Sequence, residues 1–247
     1  MAAPKAGYRD TTLPCSDGRG WENLCRALAD KRSRQEEELD WHLPADAPLP
    51  YRYRWEHVKD VVENARLLAR RLGADEDACV AAAWLHDIRK LEDQHGRRGA
   101  DEAVQVLKAT DFPQYKIRTV AIAIRLHEGF SSGRRTKPLE PLEAAILWDA
   151  DKLTKLGVPQ LAHILGTARA MHITQEERLA LAESYALEFV AHTAESMNTE
   201  PALRIARIRY REMVEFVQVW RRQIDDPFGE PADDQPRIPA SSRIPEA

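Results

Sequence analysis

His86 and Asp87 are adjacent and close an apolar run, Ala81-Ala82-Ala83-Trp84-Leu85, in which nothing else is polar. Burying an imidazole beside a carboxylate is strongly unfavourable unless each group is paired or bound to a cation. Such a pair is a poor core and a good way to hold a metal ion. Neighbours on a helix project about 100° apart, so both reach one ion only if it lies at the core-facing edge of that helix. Cys79, Ala82, Ala83 and His86 share a stripe, which puts His86 on the buried face. Taken alone, the dipeptide reads first as a hydrogen-bonded pair near a helix end.

Other segments place a polar group on an apolar stripe in the same manner. His57 heads the stripe Val61, Ala65, Leu68 and Leu72; His127 follows Val120, Ala123 and Ile124; Asp151 closes Ala144, Leu147 and Trp148. Each sits near a helix end, so in a bundle their stripes can converge on one point. Imidazoles mixed with carboxylates suit Mn²⁺, Fe²⁺, Co²⁺, Ni²⁺ or Zn²⁺ better than Ca²⁺, which prefers oxygen alone. Trp84 and Trp148, each close to one of these residues, read as packing.

The elements that must position these groups are helices. The spacing predicts a helix from Trp21 to about Leu39, whose Lys/Arg block followed by a Glu block reads as a solvated face. Pro44, Pro48 and Pro50 then break the chain before a core helix from Trp55 to Leu72, ended by Gly73. Next come helices from Asp75 to Lys90, from Ala100 to Lys108 after a polar loop Glu92 to Arg98 that holds His95, from Pro113 to His127, and from Glu143 to Leu156. Further helices are expected at Gln160 to His172, Gln175 to Ser196 and Pro201 to Ile224. With no strand alternation, repeat or long heptad run, the fold class is all-α.

Three units follow: an N-terminal arm and exposed helix over 1–50, irregular through residue 19; a helical domain over 51–224; and a tail over 225–247, rich in proline and acidic residues, read as disordered. The chain has 247 residues, is 43% hydrophobic and carries a net charge of −4, which gives no global argument for nucleic acid or an anionic membrane. A small molecule is the expected partner. Three scattered cysteines, Cys15, Cys25 and Cys79, argue against a disulfide framework and for a reducing cytoplasm. No run is long enough to span a bilayer and no apolar signal core is present. The terminal helices offer surface for a homodimer.

The order His57, His86-Asp87, Asp151, set in Trp-Glu-His-Val, Leu-His-Asp-Ile-Arg-Lys and Asp-Ala-Asp-Lys-Leu, resembles the HD superfamily of metal-dependent phosphohydrolases over roughly Tyr53 to Gly157. The resemblance implies a single HD-type helical bundle in which His57, His86, Asp87 and Asp151 hold a divalent transition metal, with Mg²⁺ also open. Asp151 is chosen over Asp149 because a basic residue and Leu follow it and it shares the stripe of Leu147; Asp149 reads as a supporting or surface acid. His95 and His127 resemble the positions that bind a second ion in some subgroups, although the loop before His95 is short and no Gly-Tyr-Pro follows His127. One or two ions are therefore expected.

The implied reaction is cleavage of a phosphate ester or anhydride of a small molecule, plausibly a nucleotide, by metal-activated water. Asp87 would orient or deprotonate that water, and Lys90 would meet a phosphate oxygen. Arg134, Arg135 and Lys137 could clamp an anion over the site, against the simpler reading of a solvated basic loop. Two other classes stay open: a non-catalytic nucleotide sensor or assembly module with a structural metal, and a di-iron oxygenase of the same superfamily.

Overall fold

The computed structural model describes residues 20–129 and 137–229. Among them there are nine α-helices and no β-strand, so the all-α expectation holds. They are α1 (Trp21–Asp40), α2 (Tyr53–Leu72), α3 (Glu76–Leu85), α4 (His95–Lys108), α5 (Ile117–Leu126), α6 (Leu142–Leu153), α7 (Val158–Leu165), α8 (Gln175–Ser184) and α9 (Glu200–Asp225). The arm through residue 19, the tail from residue 230, Arg134 and Arg135 lie outside the described residues.

Helix α3 is the centre of the bundle because every residue from Ala78 to Leu85 is buried. Four of those eight residues are alanine, and small side chains on all sides let α1, α2, α5 and α6 close around one helix. Asp75 caps it, accepting from the Ala78 N–H. Its N-terminal turn is acidic, with Glu76 and Asp77. The core continues through Val61 and Ala65 of α2, Val120 and Ile124 of α5, and Ala144 and Leu147 of α6.

Four local expectations need correction. Helix α1 is no solvated appendage: Arg32, Ser33, Glu37 and Glu38 are buried, and Leu24, Cys25 and Leu28 join the core. Its Glu37 carboxylate accepts from the backbone N–H groups of Arg54 and Trp55, so it caps α2 from a neighbouring helix. Helix α3 stops at Leu85 rather than Lys90, with His86 as its C-cap. There His86 Nδ1 bonds the Ala83 carbonyl at 2.7 Å, taking an acceptor of the last turn, and residues 86–94 continue as tight turns.

The stretch His95-Gly96-Arg97-Arg98-Gly99, read as loop, is the first turn of α4. It is helical because Glu128 accepts the free Gly96 N–H at 3.0 Å. Glycine is needed here for close approach: a Cβ at Gly96 would lie 3.0 Å from Glu128 Oε2 and 3.2 Å from the Ile124 carbonyl oxygen. Finally, the helices after α6 are more broken than their periodicity suggests. Helix α7 ends at Leu165, and α8 passes into a π-helical turn at Tyr185–Phe189.

Candidate metal centre

Five helices bring the candidate ligands together. His57 lies in the second turn of α2, His86 and Asp87 just beyond α3, His95 at the first position of α4, His127 at the C-cap of α5 and Asp151 in the last turn of α6. His57, His86, Asp87, His127 and Asp151 are all buried, with His86 at 0% exposure. Neighbouring imidazoles stand edge to face, with ring centroids 5.7 Å apart for His57 and His86, 5.1 Å for His86 and His127, and 5.3 Å for His95 and His127.

The hydrogen bonds set which nitrogen of each ring faces inward. His86 Nδ1 and His127 Nδ1 both donate to the carbonyl three residues earlier, Ala83 and Ile124, at 2.7 and 2.5 Å. The Thr154 hydroxyl donates to the Asp151 carbonyl at 2.6 Å, so its oxygen accepts from His57 Nδ1 at 3.0 Å. Burial and then Lys155 hold His57 well below the usual histidine range, and burial likewise lowers His127. These two rings are therefore neutral, with their single proton on Nδ1.

Every remaining Nε2 faces a carboxylate oxygen. His86 Nε2 lies 3.3 Å and His57 Nε2 3.9 Å from Asp87 Oδ2. His127 Nε2 lies 3.2 Å and His95 Nε2 3.5 Å from Asp87 Oδ1. His57 Nε2 is also 3.3 Å from Asp151 Oδ1. Lone pair opposite lone pair is repulsive in a buried setting; Lys155 Nζ reaches His57 Nε2 and Lys90 Nζ reaches His95 Nε2, both at 3.5 Å, whereas His86 Nε2 has no hydrogen-bond partner at all. A divalent cation between these atoms removes the conflict, and a ring oriented by a carbonyl through its other nitrogen is the usual setting of a metal-binding histidine.

Two sets result, His57 with His86 and Asp87, and Asp87 with His95 and His127, each with ligand atoms within 4.8 Å of one another. Asp87 belongs to both, one oxygen to each side. Asp151 joins the first set through His57, while its own oxygens face ammonium groups: Oδ2 accepts from Lys152 Nζ at 2.6 Å, and Oδ1 is 3.6 Å from Lys155 Nζ. Burial pushes both carboxyls up, but nearby cations win, Lys90 for Asp87 and Lys152 for Asp151, and hold each well below the ordinary range. Burial, followed by Lys90, lowers His95 to about 4.

A cavity of about 260 Å³ opens onto the cluster, lined by Lys90, His95, His127, Asp151, Lys152 and Lys155 among others. Gln160, Tyr185 and Phe189 form a wall shared with a second cavity of about 580 Å³ that reaches Tyr53, Arg54, Leu181 and Arg169. Lys90 lies 3.4 Å from Asp87 Oδ1. Lys137 is exposed and lines neither cavity. Trp84 stacks on Trp55 and Trp148 bonds Ser196, in keeping with packing roles.

The HD-domain family model matches residues 54–156, a span that begins beside His57 and ends beyond Asp151. The chain contains an HD domain. Its geometry also resembles solved structures: a predicted HD superfamily hydrolase from an uncultured Thermotogales bacterium is 26% identical with a TM-score of 0.51, covering 81% of this chain and 92% of that one. Bacillus subtilis YpgQ, solved in complex with ADP, is 19% identical with a TM-score of 0.57, covering 84% and 98%. An HD-superfamily hydrolase from Bacillus thuringiensis is 19% identical with a TM-score of 0.53, covering 82% and 99%. A comparison with curated proteins finds no match.

The HD domain contains polar residues that sequence reading passed over. Arg54, three positions before His57, is buried and donates to Asp87 Oδ2 at 2.5 Å. Its Nε lies 3.0 Å from Glu36 without the alignment of a hydrogen bond. Lys155 and Glu128 escaped for the same reason: charged residues at helix ends ordinarily face water. The signal was present in position, since Arg54 is three residues from one ligand and Lys155 four from another. Asp149, read as a supporting or surface acid, is 0% exposed and holds the N-terminus of α9 rather than the cluster, bonding the N–H groups of Asn198 and Thr199 and both their side chains.

Proposed function

We propose that the chain is a metal-dependent phosphohydrolase that cleaves a phosphate ester or anhydride of a small molecule, with a nucleotide as the leading class. The observation that carries this reading is the convergence of unprotonated Nε2 atoms and two ionised carboxylates beside a cavity lined by three lysines. His57, His86, Asp87 and Asp151 would hold one divalent transition ion, and Asp87, His95 and His127 a second. When bound, such ions supply Lewis acidity toward a phosphoryl oxygen and lower the pKa of water.

The chain's own groups supply the rest. With a single ion on the His57 and His86 side, Asp87 can accept a proton from an attacking water through its other oxygen, the one turned toward His95 and His127; with two ions it would serve as a ligand to both. Lys90 faces the cavity as a partner for a phosphate oxygen. The second cavity has room for the organic part of a substrate, with Tyr185 and Phe189 as aromatic faces against which a flat ring can lie. The ADP held by the Bacillus subtilis relative makes nucleoside phosphates the first compounds to test.

The test is a panel of nucleoside mono-, di- and triphosphates and simple phosphoesters with Mn²⁺-loaded protein, read by released phosphate or pyrophosphate. Turnover that disappears in His86→Ala and Asp87→Asn supports the reading. Stoichiometric metal with no release from any compound sinks it and leaves a sensor or assembly role. A carboxylate shared between two histidine-containing sets also suits a di-iron oxygenase, and O₂ consumption by iron-loaded protein would mark that outcome.

A further inference from the structure

Lys155 occupies an unusual place for a lysine. Its ammonium lies 3.6 Å from Asp151 Oδ1 and 3.4 and 3.5 Å from the two ring nitrogens of His57. It therefore rests on two of the groups expected to hold a cation, and a lysine stem has four rotatable carbons with which to leave. The backbone beneath it is fixed: the Lys155 N–H bonds the Lys152 carbonyl at 3.1 Å, and its carbonyl accepts from Tyr185 Oη at 3.2 Å. The side chain is 20% exposed and lines the 260 Å³ cavity where a phosphate would sit. Lys152, by contrast, is fixed at 2.6 Å from Asp151 Oδ2, above the Trp148 ring at 4.6 Å.

We infer that Lys155 is a displaceable counter-ion which gives up Asp151 and His57 when a divalent cation arrives and turns into the cavity to bind a phosphate oxygen. The inference rests on the metal-dependent reading above. Two like charges cannot share Asp151 Oδ1 and His57 Nε2 at these distances, so cation entry must move the ammonium. Once moved, its nearest unfilled role is an anion in the same cavity. Cation and phosphate then favour one another through Lys155, in addition to any direct contact between them, and the coupling is reciprocal.

The experiment titrates chelator-stripped native protein and Lys155→Met with Mn²⁺ by calorimetry, without and with inorganic phosphate. The expected result is Mn²⁺ affinity raised by about ten-fold or more in Lys155→Met without phosphate, and an enhancement by phosphate that is about ten-fold or more smaller than in the native chain. A second measurement needs no variant: acetylation of Lys155, read by mass spectrometry, should rise when Mn²⁺ is added to native protein and fall again when phosphate follows. Unchanged or weakened Mn²⁺ affinity in Lys155→Met, or Lys155 labelling indifferent to Mn²⁺, overturns the proposal while the metal reading stands. Failure of native protein to bind Mn²⁺ at all overturns both.

Discussion

Asp149 and Asp151 stand two residues apart on α6, both buried, and they do opposite things. Asp149 receives four donors, two backbone N–H groups, an amide and a hydroxyl, from the segment that starts α9. Asp151 and its companion Asp87 face unprotonated ring nitrogens and the charged ends of lysine and arginine side chains. Glu37 belongs with Asp149: its oxygens are met by two backbone N–H groups and Arg52. What separates a scaffold carboxylate from a site carboxylate is therefore not burial or residue type. It is whether the protein itself has satisfied the lone pairs around it.

That contrast breaks if the two regions respond alike to substitution. The largest effect is expected in His86→Leu, which should lose bound metal by elemental analysis and lose turnover at least about 100-fold. The same change removes a buried nitrogen without a partner together with the Nδ1 bond to the Ala83 carbonyl, so metal-free protein in denaturant should lose no more than about 2 kcal/mol. Asp149→Ala should do the reverse. Stripping several charge-assisted bonds from buried backbone should destabilise by about 3 kcal/mol while metal content per folded chain is retained.

Ligand addition sharpens the comparison. Native protein with Mn²⁺ at 100 times its dissociation constant should gain about 2.7 kcal/mol over chelated protein, read as a rise in melting temperature. His86→Leu should gain nothing, and Asp149→Ala should gain as much as native. A gain in His86→Leu would show the ion to be held elsewhere.

The smallest effect concerns pH. His95 and His163 titrate at about 4 in the folded chain, both chiefly through burial. An unfolded histidine takes up its proton near pH 6.5, so metal-free protein should lose stability as pH falls from about 6.5 to about 4 and be indifferent to these groups above it. His163 packs edge-on against Tyr51 and Tyr53, away from the cluster, and accepts from or donates to the Tyr51 hydroxyl at 3.2 Å. His163→Phe should flatten part of that slope in a plot of melting temperature against pH without changing metal content.

Much of this was legible in the sequence because a polar residue on an apolar helical stripe is conspicuous. His57, His86, His127 and Asp151 stand out in that way, and each helix carrying them is present. Helix ends were less legible, since they depend on partners far along the chain. Gly96 reads as loop until Glu128 accepts its N–H, and nothing local to Ala83 announces that His86 will take its carbonyl. The buried charges of α1 were misread because Arg32 finds Glu102, and Glu37 finds the start of α2, only after folding. Lys155 and Arg54 were hidden in plain composition: a charge beside a ligand looks like any solvated charge until its burial is known.

The way the helices end around the cluster has an electrical consequence. Helices α3, α5 and α6 all terminate there, at Leu85, Leu126 and Leu153, and present their partially negative carbonyl ends. The opposing positive ends of α2 and α4 are each covered by a glutamate, Glu37 and Glu128. The residual backbone field at this spot thus welcomes positive charge and resists negative charge. Attraction for a phosphate must come from the lysines of the cavity instead, so its binding should weaken as salt is added.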